Sequence, residues 1–542
     1  MERLYFMAAV MIDRPLRVVL AFVFSVFLLA PLPSDAQSMA FKQAVAEAAS
    51  DDDAILAFYR ENGYRPIWTG KGNRDAQRRK ALLAALETAG DHGLPIDRYD
   101  ADLLRTSLRN VGSERDLGRL EAELSALFLT YARDIQTGVL NPRRIDEGLV
   151  RSVPYRDRSA TLAAFAKSSP AAFIRKLPPQ TPEYTRLMKQ KMKFEVAVGK
   201  GGWGPEIRGG RKLEPGDSGE RVTALRNRLI RMGYLPRNAS ASYDSKMTEA
   251  VRAFQSDHGL AADGVAGPAT IEAVNVSMET RMTQIIVAME RERWINLDRG
   301  KRHVWVNLTD FSAAIVDDGK VTFRTRSVIG ANDRDRRSPE FSDTMDHMVI
   351  NPTWNVPRSI ATKEYLPVLQ QDPTRLSHLR LIDGAGRTVN PMTVDFTQFD
   401  ANTFPFDMKQ DPSRGNALGL VKFMFPNRYN IYLHDTPDKS LFQRAKRAYS
   451  HGCIRLNDPF DFAYTLLAKQ VSNPESYFQN ILATRKETRV DLKEPIPVHL
   501  VYRTAFTQAK GRIQFRGDVY GRDAKIWRAL RDQGVVLRSV QS

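Results

Sequence analysis

The spacing of apolar residues changes once along this chain, and that change limits the fold to separate helical and β-rich parts. Up to about residue 275, apolar side chains recur every three or four positions; beyond about 300 they alternate or run in short β-branched stretches. "MAFKQAVAEAA" and "DDAILAFYRENGY" have helical spacing, with Asp51–Asp53 placing carboxylates at a helix start. "DAQRRKALLAALETAGDHG" stops at Gly90 and Gly93, and "ERDLGRLEAELSALFLTYARDIQTG" stops at Gly138. Residues 37–200 are expected to form a helical scaffold, followed by a Gly-rich linker at 201–212. In 213–276, Val222, Leu225, Leu229 and Met232 share one helical face, and Met247, Ala250, Val251 and Phe254 share another. Pro268 opens a third short helix, so this unit reads as a small three-helix bundle.

From 283 to 505 the pattern is that of strands: "HVWVNL", "SAAIVDD" and "KVTFRTRSVIG", the last two joined by the hairpin signal "DDGK". Residues 358–412 are polar and aperiodic, as expected of an insertion capping the sheet, and the tail 506–542 carries one helical stretch. The expected fold class is multidomain α+β.

At the N-terminus, Arg14 and Arg17 precede the 13-residue apolar run Val18–Ala30, and small residues Ser34 and Ala36 follow. This is the pattern of a secretory leader over 1–36; the run is shorter than the ~20 residues of a membrane span. Retention as an uncleaved membrane anchor is the alternative. The net charge of +17 calls for anionic partners, but the basic residues are scattered and no zinc-finger or RNA-binding signature accompanies them, so nucleic acid is not the expected partner.

Export sharpens the meaning of the one cysteine, Cys453 in "SHGCIRLNDP". A lone cysteine forms no intrachain disulfide, so it is either a buried inert thiol or a reactive one. Its neighbours Ser450, His451 and Arg455 are polar. In "YNIYLHDTP" the strand alternation sends Ile431 and Leu433 to the core and Tyr432 and His434 together to the other face. Asn457-Asp458-Pro459 reads as a helix start, which would put Cys453 in the loop before a helix. Gly452 would let a carbonyl approach the backbone, with N–H groups of 452 and 453 as an oxyanion hole. A thiol needs a base to become a useful nucleophile. His434, from another strand, is better placed for that than His451, which is expected to brace the loop. A zinc site from His434, His451 and Cys453 has no supporting ligand spacing, and no metal or cofactor is expected.

Two resemblances extend these readings. "GDSGERVTALRNRL…GYL…AVRAFQSDHGLAADGVAGPAT", 213–276, resembles the peptidoglycan-binding domain type 1, which implies binding of wall peptide or glycan. "HDTP", then fifteen residues counted from Asp435 to Tyr449, then "SHGCIRL", resembles the L,D-transpeptidase (YkuD-type) catalytic domain, here over 283–505. Arg455 in place of the Asn of many members, together with "NPTWNVPRSIA", "GNALGLVKFMFPN" and "FRGDVYGRD", is similar to a large Gram-negative branch with a helical scaffold domain and a capping insertion. The resemblance implies Cys453 as nucleophile, His434 as general base and acid, Gly452 backbone in the oxyanion hole, and Ser450 and His451 as loop support. Tyr432, Arg455 and Trp354 would contact substrate. It implies 3→3 cross-linking of peptidoglycan tetrapeptide stems through a thioester with release of D-Ala, in the periplasm, and sensitivity to carbapenems. The alternatives are an L,D-carboxypeptidase or protein attachment by the same nucleophile, and a non-catalytic wall-binding protein.

Overall fold

The computed structural model describes residues 38–539; the expected leader, 1–36, lies outside them. Among the described residues no helix is long and apolar enough to cross a membrane.

The N-terminal part is helical. Its longest element, Glu114–Thr137, starts where Ser113 accepts from the Asp116 N–H and stops at Gly138, whose φ of 94° few other residues adopt. Leu124, Phe128 and Ile135 on its buried face meet Tyr59, Trp68 and Phe165 in one aromatic-rich core. Glu121, fully buried at the centre, accepts from Tyr59 and from the backbone N–H groups of Ile67, Trp68 and Thr69. That ring of donors is what allows a carboxylate to sit there.

The bundle consists of Glu220–Arg231, Ser245–Asp257 and Pro268–Asn275, with Pro268 at the first helical position. Val222, Leu225, Leu229, Met247, Val251 and Phe254 form its core. The following helix, Met278–Trp294, returns to the scaffold: Met282, Ile286, Val287 and Trp294 join the scaffold core. Its sequence Glu290-Arg291-Glu292-Arg293 is buried throughout, and each charge is paired: Glu290 with Arg293, Arg291 with Glu340 and Asp523, Glu292 with Arg299 and Arg503. The tail helix Arg522–Asp532 buries Ile526 and Leu530 in the same scaffold core, so chain after the sheet is sewn back to chain before it.

The main sheet contains β1 Arg302–Asn307, β2 Ser312–Asp317, β3 Lys320–Gly330 and β4 Phe341–Ile350. After the inserted β5 Trp354–Asn355, β6 Arg380–Ile382, β7 Thr388–Val389 and β8 Asp407–Gln410 come β9 Val421–Met424, β10 Leu433–His434, β11 Ala448–Ser450, β12 Ile454–Leu456 and β13 Thr488–Val501. Strand order is β11-β3-β12-β10-β9-β4-β13-β1-β2. β3 pairs with β2 along its first half and with β12 and β11 along its second, so the sheet closes on itself around an aliphatic core. The β2–β3 hairpin turns at Asp318 and Gly319, both with positive φ, the geometry that follows the strand twist. The insertion is a folded cap with its own sheet, β5-β8-β6-β7, and its own core of Trp354, Leu366, Phe396, Phe404, Met408 and Leu418.

Five histidines sit in surroundings that disfavour their charge, His303 among them, lowered mainly by burial. Burial pushes His92, His258 and His434 down to about 3 and His499 to about 4, with neighbouring arginines adding to the effect. A histidine whose folded pKa lies below its unfolded 6.5 contributes full stability above pH 6.5, and that contribution is lost as pH falls toward the folded value. Each buried neutral imidazole therefore withdraws up to about 2 kcal/mol by pH 5. The melting temperature is expected to drop by several degrees between pH 7 and pH 5 in a fluorescence melt. A flat profile would contradict this.

Candidate active site

The site is assembled by strand register. β10 runs parallel to β12 with Leu433 opposite Ile454 and His434 opposite Arg455, and antiparallel to β9 with Leu433 opposite Phe423 and His434 opposite Lys422. Phe423, Leu433 and Ile454 form a fully buried row in the core. The alternate row, Lys422–His434–Arg455, faces the other way, with Tyr432 and Cys453 two residues before His434 and Arg455 on the same side. The Ile454 N–H donates to the Tyr432 carbonyl at 3.0 Å, which holds these two segments together. His434, Cys453, Tyr432, Arg455 and Lys422 all line one cavity of about 700 Å³, roofed by Trp354, Ile360, Glu364 and Tyr365 of the cap.

His434 is buried, and its Nδ1 is 2.5 Å from the Asp435 carbonyl. A carbonyl only accepts, so Nδ1 carries the proton and Nε2 is left as the acceptor nitrogen. Cys453 is partly exposed on the cavity wall, and its thiol donates to the Asn430 carbonyl at 3.4 Å. Close packing pushes the thiol up to about 11, against smaller opposing effects of Tyr432 and Arg455. Thiol and imidazole thus rest as a neutral pair.

The loop around the thiol is tightly held. Ser450 Oγ donates to the Cys453 carbonyl at 2.5 Å and accepts the Gly452 N–H at 3.1 Å. This corrects the expectation that the Gly452 N–H serves an oxyanion hole: that donor is already used inside the loop. The Cys453 N–H, in contrast, has no partner among the described residues. The glycine also has a different reason from open access. Its φ is +115°, a left-handed conformation that a side chain would strain, and an added Cβ would meet Ile431 Cδ1 at 3.1 Å. A second correction concerns the helix start. Strand β12 separates Cys453 from the helix Pro459–Leu467, and the Asp458 carboxylate accepts from Thr325 at 2.7 Å instead of capping.

Of the other expected residues, His451 turns to the cap, its Nε2 2.6 Å from Glu364 Oε1. Trp354 is a core residue of the cap that also borders the cavity. Arg455 makes no ion pair or side-chain hydrogen bond with any described residue, and its Nε is buried without a partner. Three contributors escape sequence reasoning because they come from distant segments. Glu364, on a single π turn Ala361–Tyr365, receives both His451 and Arg336 (2.7 Å). Ser338 donates to the Gly452 carbonyl at 2.6 Å. Lys422 flanks His434 from β9.

Sequence models of known families match in chain order. A scaffold domain matches 53–190, a "Putative peptidoglycan binding domain" matches 218–274, and an L,D-transpeptidase catalytic domain matches 301–490. A Haemophilus influenzae protein named "Putative L,D-transpeptidase" is 31% identical over 255 residues, 47% of this chain and 51% of that one. The chain thus spans about half the length of that relative. The N-acetylmuramoyl-L-alanine amidase CwlL of Bacillus licheniformis is 45% identical over 64 residues, 11% of this chain and 18% of its own. A solved L,D-transpeptidase fragment from Xylanimonas cellulosilytica aligns with 16% identity and a TM-score of 0.16, covering 54% of this chain and 100% of its own.

These matches define a class: a multidomain α+β protein in which scaffold and peptidoglycan-binding domains accompany an L,D-transpeptidase catalytic domain. Residues 301–490 carry the match to the L,D-transpeptidase catalytic domain.

Proposed function

We propose that this chain cross-links peptidoglycan by acyl transfer through Cys453. The observation that carries the reading is the shared face of β10 and β12: thiol and neutral imidazole, from adjacent strands, border one capped cavity. Sγ attacks the carbonyl that joins the diamino acid of a tetrapeptide stem to its terminal D-Ala. As the C–S bond forms, the thiol proton passes to His434 Nε2, and the oxyanion meets the Cys453 N–H. The C–N bond then breaks, His434 returns the proton to the leaving amine, and D-Ala departs. An amine of a second stem attacks the thioester, His434 takes its proton, and the departing thiolate recovers it. With a thiol near 11 and an imidazole near 3, a preformed ion pair does not accumulate, so proton transfer accompanies attack. The 218–274 bundle would hold wall material, and the work would be done in the periplasm.

The test is incubation of the purified protein with tetrapeptide muropeptides and mass spectrometry of the products. Loss of one D-Ala per 3→3 dimer supports cross-linking; loss of D-Ala without dimers assigns hydrolysis; no loss refutes the reading.

The cap latch gives a smaller prediction. Glu364→Ala removes the acceptor of both His451 and Arg336, so kcat/KM is expected to fall about 10-fold while stability stays within about 0.5 kcal/mol, as for other partly exposed ion pairs. Unchanged kinetics would show that the latch has no role in turnover.

A further inference from the structure

The row that carries His434 also carries two cations with nothing to bind. Lys422 lies one strand away on β9 and Arg455 one strand away on β12, both on the cavity face. Neither makes an ion pair within 4.0 Å of a carboxylate among the described residues; Glu487 attracts Lys422, and Asp438 attracts Arg455, only through space. The acidic groups of the same cavity are already committed: Asp335 to Lys363 at 2.8 Å, and Glu364 to Arg336 and His451. Lys439, also near His434, is committed to Asp435 at 2.7 Å. The unsatisfied charge of the cavity is therefore positive and is centred on the base.

Resting on the proposed acyl transfer, we propose that Lys422 and Arg455 clamp the free C-terminal carboxylate of the amino acid that leaves. His434 must reach the leaving nitrogen, whose own carboxylate is only two bonds further along. Neighbouring strands are about 4.8 Å apart, so cations flanking the histidine in register lie where that carboxylate falls. Arginine offers a planar fork and lysine a point charge, a suitable pair for one carboxylate. Part of the depression of His434 comes from these same two cations. A bound carboxylate would offset them and raise the imidazole's basicity when substrate is present.

The experiment uses the full chain with Cys453→Ala, so that binding is measured without turnover. Calorimetry compares a tetrapeptide stem with a free C-terminus, its C-terminal carboxamide, and a stem amidated only on the diaminopimelate side-chain carboxylate. The free acid is expected to bind about 10- to 100-fold tighter than the C-terminal amide, the size of one lost charged hydrogen bond. Adding Lys422→Met should erase that difference while leaving affinity for the C-terminal amide unchanged. Equal affinity for acid and C-terminal amide overturns the clamp. So does a loss confined to the side-chain amide, which would assign the cations to that other carboxylate. An equal fall for all three peptides in Lys422→Met makes Lys422 merely structural. Because binding alone is read, a wild-type protein that binds in the expected order yet releases no D-Ala sinks the acyl transfer and not the clamp.

Discussion

A Cys453→Ala variant is expected to release no D-Ala and form no dimers, a loss of about 10⁴-fold or more, while melting at the wild-type temperature. Removal of a nucleophile eliminates the covalent path, and what remains is the modest help of binding and oxyanion stabilisation. The fold should not notice. Cys453 sits on the cavity wall, and the contact of its thiol with the Asn430 carbonyl at 3.4 Å is weak. The bundle at 218–274, far along the chain, keeps its core intact, so sedimentation with wall material should persist. Residual turnover within 100-fold of wild type would mean that another group, or a bound water, does the attacking.

Ser338→Ala is expected to lower acylation by about 100-fold, the cost of disturbing an oxyanion donor. Ser338 is fully buried; its hydroxyl accepts the Gly330 N–H at 2.9 Å and donates to the Gly452 carbonyl at 2.6 Å. That carbonyl belongs to the same planar peptide as the Cys453 N–H, so holding the oxygen fixes the direction of the donor. The tail helps hold it: the Tyr520 hydroxyl donates to the Gly330 carbonyl at 2.6 Å, and Arg522 donates to the Ser338 carbonyl at 2.9 Å. Alanine orphans two buried backbone groups, at about 1–3 kcal/mol of stability. Alkylation of Cys453 by iodoacetamide requires no oxyanion donor and serves as the control. If alkylation and acylation fall together, Ser338 only maintains the loop.

Local signals transfer well from sequence to structure. Gly138 stops its helix, Pro268 opens one, and Asp318-Gly319 turns the hairpin, because backbone conformation there depends on a few adjacent residues. Strand alternation likewise places Tyr432 with His434 and Leu433 against them. Pairing between strands is not local. Nothing in "NALGLVKFMF" announces that Lys422 will stand beside His434, or in "RDRRSPE" that Ser338 will grip Gly452. The cap looks aperiodic because its strands are two to four residues long and its core is made of scattered aromatics, too short a pattern to show a period. At Gly452 the sequence suggests room for substrate, whereas the left-handed φ is visible only in the backbone angle.

The most direct test of the thioester is the intact mass of the protein quenched in acid during turnover of a tetrapeptide stem. The mechanism predicts a mass increase equal to the mass of the stem minus that of D-Ala, mapped to the peptide containing Cys453 and absent from Cys453→Ala. Release of D-Ala at the wild-type rate with no adduct, or an adduct on any other residue, would contradict it.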